Sequence, residues 1–120
     1  MRYLILILGD EAAELAMTAA ERRAVLQAHG AYSARLAEAG ALVTGEALHP
    51  SAASATVRFP PGRDPIVSDG PYAETKEQLG GFYLVECADR EEALRYAREV
   101  PRSPGVVVEV RPIAALETPA

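Results

Sequence analysis

Residues 3 to 8 read YLILIL, an unbroken apolar run closed by Gly9. Its length and isoleucine content favour a strand over a helix. Side chains of a strand alternate between the two faces of a sheet. A strand apolar at Leu4 and Leu6 as well as at Ile5 and Ile7 therefore needs cover on both faces. Helices can cover one. The other face predicts a homodimer in which two sheets pack against each other.

The rest of the chain supplies the helices and further strands. Thr18-Ala-Ala-Glu21 is a capping box, in which the Thr18 hydroxyl accepts from the N3 amide and Glu21 reaches back to the Thr18 amide. It predicts a helix from Ala19, with an inward stripe of Val25, Leu26, His29, Tyr32, Ser33, Leu36 and Ala37 and an end at Gly40. Ala41–Ala47 reads as a strand. Ala55–Phe59, a Pro60-Pro61-Gly62-Arg63-Asp64 turn and Pro65–Ser68 read as a hairpin at an edge. Phe82–Cys87 is a further strand. Asp89-Arg-Glu-Glu92 caps a second helix, Arg90–Val100, which ends at Pro101, and Val106–Val110 is the last strand. This order is an α+β, ferredoxin-like βαββαβ plan: an antiparallel sheet with two helices on one face. The expected limits are a single domain over 1–113 and a C-terminal tail over 114–120.

Composition narrows the function. A chain of 120 residues with 49% hydrophobic content fits one folded domain. A formal net charge of −5 and no basic run beside aromatics argue against nucleic acid as a partner. The longest apolar run is far short of the roughly 20 residues that span a bilayer, and the N-terminus lacks a signal-peptide cleavage pattern. One cysteine, Cys87, cannot close an intrachain disulfide and fits a reducing compartment. A cytoplasmic location is expected.

The chemistry concentrates in two places. His29 lies on the inward helix stripe, where an imidazole needs a hydrogen-bond partner. Its ordinary pKa of about 6.5 suits general acid–base work. The alternative is a structural histidine held by a carbonyl or by Asp69. The second place is DGPYAETKEQLGG, residues 69–81. Asp-Gly-Pro favours a tight bend. Asp69 either bonds its own turn or orients His29, as a carboxylate holds a catalytic base. Residues 74–77 are either a short solvated helix or a rim over a pocket, with Thr75 and Lys76 contacting an anionic ligand. Gly80-Gly81 fits a bulge. Tyr32, Tyr72 and Tyr83 are pocket-lining candidates, each with a core role as the alternative. His49, before Pro50, is expected to be exposed. The two histidines have no metal-ligating spacing, and Cys87 reads as a packed thiol.

DGPYAETKEQLGGFYLVE resembles the signature of the YCII-related family, in the subgroup named for an Asp-Gly-Pro-Phe motif. Only Tyr72 departs from that subgroup's usual string. YLILILGDE, QAHGAYSARLAEAGALVTGEAL and VEVRPI are similar to the family's pattern elsewhere. The resemblance implies a dimeric α+β barrel, with Glu46 of the GEAL piece facing the same cavity as His29. It also implies an enzyme that uses a buried His29–Asp69 pair, without cofactor, on a small organic acid or lactone. The alternative it implies is a non-catalytic module that binds a small molecule or docks on an extracytoplasmic-function sigma factor.

Overall fold

The computed structural model describes residues 1–115. Six strands and three helices follow in the order β1 (Arg2–Gly9), α1 (Glu11–Leu15), α2 (Ala19–Glu38), β2 (Leu42–Ala47), β3 (Ala55–Arg58), β4 (Ile66–Asp69), β5 (Gln78–Glu86), α3 (Arg90–Arg98) and β6 (Val107–Pro112). Strands β2-β5-β1-β6 form an antiparallel four-stranded sheet, and β3-β4 form a separate two-stranded hairpin. With the hairpin set aside, this is the strand order of a ferredoxin-like sheet.

The YLILIL run occupies the middle of the sheet, because β1 pairs with β5 on one side and β6 on the other. The odd-numbered residues turn toward the helices. Tyr3 and Ile5 are buried with Tyr32 and Leu36 of α2, Ala93 and Tyr96 of α3, and Val85 of β5, and Ile7 packs against that cluster. Register places Ile5 between Tyr83 and Val110. The even-numbered residues turn away. Leu4 pairs with Leu84 and Leu6 with Phe82, and none of these four belongs to the core cluster. Both long helices thus cover one face, and the second face is apolar and partly solvent-accessible.

Local chemistry fixes the helices. The Thr18 hydroxyl accepts from Glu21 N–H at 3.1 Å, and the Glu21 carboxylate accepts from Thr18 N–H at 3.0 Å. A cap of this kind contributes about 1 kcal/mol. At the other end Ala41 N–H donates to the Leu36 carbonyl at 2.9 Å and Gly40 N–H to the Ala37 carbonyl at 3.0 Å, the paired bonds of a Schellman stop. Asp89 caps α3 by accepting from Glu92 N–H at 2.9 Å.

One helix is added to the expected elements, and two local expectations change. The loop after β1 contains α1, capped by Asp10, whose carboxylate accepts from Ala13 N–H at 3.1 Å. Residues 74–77 contain no helix, only a bend at Lys76 and Glu77. On α2, Leu26 and Ala37 are exposed, against the inward stripe that the periodicity predicts. Val25 and Leu26 sit about 100° apart around a helix, and Val25 takes the inward position. Ala114 and Ala115, the part of the expected tail that is described, are exposed and outside any regular element; residues 116–120 lie outside the described residues. No helix among the described residues is long and apolar enough to cross a membrane.

Candidate functional site

A cleft of about 860 Å³ opens between the first half of α2 and one end of the sheet. Its walls are apolar at Ile7, Met17, Val25 and Leu26, and polar at Glu14, Arg22, His29 and Glu46. His29 is half-buried there. Its Nδ1 lies 2.9 Å from the Tyr83 hydroxyl, and the two rings are near-parallel, 6.0 Å between centroids.

The sequence builds this pair in steps. The α2 periodicity turns His29 toward the sheet on the same side as Tyr32 and Leu36. Tyr83 reaches it because β5 pairs with β1 in the register that faces Tyr83 with Ile5. Tyr32 then packs edge-on against Tyr83, 5.1 Å between centroids. Tyr32 is fully buried and its hydroxyl donates to the Tyr96 carbonyl at 2.8 Å, so it is a rigid support and its ring has no face on the cleft. On the strand side Gly45 leaves room: a β-carbon there would lie 2.6 Å from Tyr83 Cδ1. Tyr83 is thereby fixed by a helix aromatic on one side and a strand glycine on the other.

Burial sets the protonation of the pair. Desolvation pushes the His29 imidazole below its ordinary value of 6.5 and raises the Tyr83 phenol. At neutral pH the imidazole is neutral and the phenol keeps its proton. With Tyr83 donating to Nδ1, Nε2 carries the ring hydrogen. With Nδ1–H donating to the phenol oxygen, Nε2 is the free base. In both tautomers Nε2 is the atom left to exchange a proton, and it has no hydrogen bond among the described residues.

Glu14 was not foreseen. It comes from α1, a helix of five residues whose cap lacks the Glu or Gln at N3 that marks a capping box. Its carboxyl lies against Gly9, where a β-carbon would collide with Oε1. Burial first, and then the charges of Glu11 and Asp10, push its pKa up. Arg22 is the cation of this cleft.

The remaining candidates lie elsewhere. Asp69 is exposed at the end of β4, opposite Ala55. It shares neither a hydrogen bond nor the cleft with His29, so the expected His29–Asp69 pair does not form within the chain. The bend after it has Gly70 at φ 98°, tied by Gly70 N–H to the Ser54 carbonyl at 2.7 Å and by the Thr56 hydroxyl to the Gly70 carbonyl at 2.8 Å. Tyr72 and Thr75 line a different hollow, of about 960 Å³, together with His49. Tyr72 is 82% exposed, and the Thr75 hydroxyl donates to the Glu77 carbonyl. Lys76 is exposed and lines neither hollow. The three tyrosines considered as pocket lining are therefore split: Tyr83 in the cleft, Tyr32 in the core, Tyr72 at the second hollow. Cys87 is buried, and desolvation raises its thiol, the reverse of nucleophile activation. Among the described residues no cluster of three or more His, Cys, Asp or Glu side chains is arranged to hold a metal ion.

The YCII-related domain matches residues 1–117. The chain belongs to the YCII-related family. It is also 41% identical over 116 residues to an uncharacterised protein of Rhizobium meliloti (strain 1021), an alignment covering 95% of this chain and 93% of that protein. In this YCII-related chain, the cleft geometry carries the functional reading.

Proposed function

We propose that this YCII-related protein binds a small organic acid or lactone in the cleft beneath α2, with His29 as the proton-transferring group. The observation that supports it is the His29–Tyr83 bond at 2.9 Å inside a partly apolar cleft. A hydrogen bond at Nδ1 fixes the ring and leaves Nε2 for the ligand, the arrangement a general base needs. Neutral imidazole at pH 7 is the base form. Arg22 offers an anionic group its counter-charge, and Ile7, Val25 and Leu26 receive the apolar body. The assembly proposed for this work is a homodimer, because the face carrying Leu4, Leu6, Phe82 and Leu84 is left uncovered by the chain's own helices.

The test is a thermal-shift screen of small carboxylic acids and lactones against wild type, Tyr83→Phe and His29→Ala. A ligand that raises the wild-type Tm and loses its effect in His29→Ala supports the reading. Ligands that shift all three proteins equally defeat it.

A further inference from the structure

Among the described residues the β3-β4 hairpin pairs only with itself, and an isolated two-stranded hairpin is marginally stable in water. Its faces are unlike. Val57 stands directly opposite Val67, and Ala55 opposite Asp69; by strand alternation these four share one face. Thr56 opposite Ser68 and Arg58 opposite Ile66 make the other, where the Arg58 guanidinium donates to the Ser68 hydroxyl at 3.2 Å. The valine face is uncovered, with Val67 at 67% exposure.

That face runs into the open side of the sheet. The 960 Å³ hollow is lined by Ala55 and Val57 from the hairpin and by Leu8 and Leu79 from the sheet, with Leu48 between them. Leu8 pairs with Leu79, and Leu8 shares the parity of Leu4 and Leu6. One concave apolar surface therefore extends from the sheet to the arm.

The chain as a whole exposes more surface than a compact fold of its size would. The chain exposes 8569 Å², whereas a compact monomer of 12.8 kDa exposes roughly 6,300 Å². Its radius of gyration is 16.8 Å, against about 13.6 Å for a compact chain of this length. The excess, roughly 2,000 Å², is more than twice the ~800 Å² that each partner buries in a standard interface.

We propose that the hairpin is a clasping arm: its Val57–Val67 face closes over a second copy of the chain, reciprocally, and brings Asp69 into the interface. This rests on the homodimer proposed above and adds the arm to it. The arrangement is isologous, so both arms close at once. It accounts for an exposed apolar face on an arm that pairs with no other strand among the described residues, and for the position of Asp69 on that same face.

The experiment is sedimentation velocity on the full chain across a concentration series, with far-UV circular dichroism to check the core. In Val57→Lys/Val67→Glu the opposite charges support the cross-strand pair while removing the apolar face. We expect its dimer dissociation constant to rise by about 100-fold, the scale of an interface hot spot. Ile66→Glu, on the other face of the same hairpin, should stay close to wild type. Leu6→Glu, on the sheet, tests the underlying dimer. A Val57→Lys/Val67→Glu protein that dimerises like wild type overturns the arm while leaving the sheet-face dimer, and frees the hairpin for a different protein. A monomeric wild type overturns both. Ligand binding at His29 is tested separately from both results.

Discussion

The His29 cleft and the Asp69 corner are held by different means. His29 stands on a twenty-residue helix capped at both ends, and its partner Tyr83 is wedged between Tyr32 and Gly45. Asp69 ends a four-residue strand in a hairpin outside the core. The first region is explained by contacts within one chain. The second carries apolar side chains that those contacts leave uncovered. The difference separates what the protomer builds alone from what is proposed to need a second copy. It is tested most severely by stability. Tyr32→Ala should cost about 3–5 kcal/mol in chemical denaturation, the range for deleting a buried aromatic. Tyr72→Ala should stay within about 0.5 kcal/mol when measured on the monomer, as exposed positions do. Comparable losses at both sites would erase the distinction.

A narrower test lies at Gly45. An added methyl group meets Tyr83 and the Phe82 carbonyl at the same time, and the strand backbone cannot yield as a flexible side chain can. Gly45→Ala should cost about 1–3 kcal/mol, the range for overpacking. It should also displace Tyr83 from His29. Loss of the His29 ring signature in NMR, with α3 and β6 resonances unchanged, would confine the effect to the cleft. A spectrum altered throughout would mean that Gly45 serves the sheet as a whole.

How much of this could be read from sequence depended on the range of the interaction. Both long helices were legible, since Thr18/Glu21 and Asp89/Glu92 place donor and acceptor three residues apart. The hairpin was legible from Pro60-Pro61-Gly62, where Arg63 N–H closes a turn onto the Pro60 carbonyl at 3.2 Å. Helix α1 was not, because Asp10 caps it with Ala13 at N3. His29 was legible as an inward residue of α2, but its hydrogen-bond partner was not. Tyr83 is 54 residues away, and strand register, which no local pattern encodes, brings it there. The same limit applies to Asp69: Asp-Gly-Pro predicts a bend and says nothing of which side chains the bend will meet.

Proton binding sharpens the comparison further. The His29 pKa is depressed by burial, so below about 6.5 the unfolded chain binds a proton that the folded one does not. The stability contributed by neutral His29 is full above 6.5 and is lost as pH falls through the folded pKa. His29→Phe should flatten that part of the stability–pH curve. In the monomer, an NMR titration of the wild-type imidazole should give a midpoint under 6.5. If the arm of a second copy places the Asp69 carboxylate beside His29, the midpoint rises in the dimer relative to the monomer, and Asp69→Asn lowers it again. A low midpoint in a proven dimer would leave Asp69 as a turn residue.

The smallest expected effect concerns the acid that shares the cleft. The Glu14 pKa is raised by burial and by Glu11 and Asp10, so its ionised form opposes folding at neutral pH. The sign follows from linkage: a raised carboxyl favours folding below its unfolded pKa and loses that advantage as pH climbs. Glu14→Gln should therefore stabilise the protein slightly at pH 7, by no more than about 0.5 kcal/mol, because solvent screens a carboxyl that is only partly buried. The gain should vanish below pH 4.5, where the carboxyl is protonated in both states. Gly9→Ala separates charge from placement, since the added methyl group occupies the space of the Glu14 carboxyl. A flexible side chain can swing out into solvent at little cost and recover its hydration. If Gly9→Ala and Glu14→Gln give the same pH-dependent gain, the penalty comes from lodging an acid in the cleft. Retention of an acid there despite the penalty would then mark Glu14 as part of the ligand site beside His29. A gain in Glu14→Gln alone would assign the penalty to repulsion within α1, leaving the cleft chemistry to His29 and Tyr83.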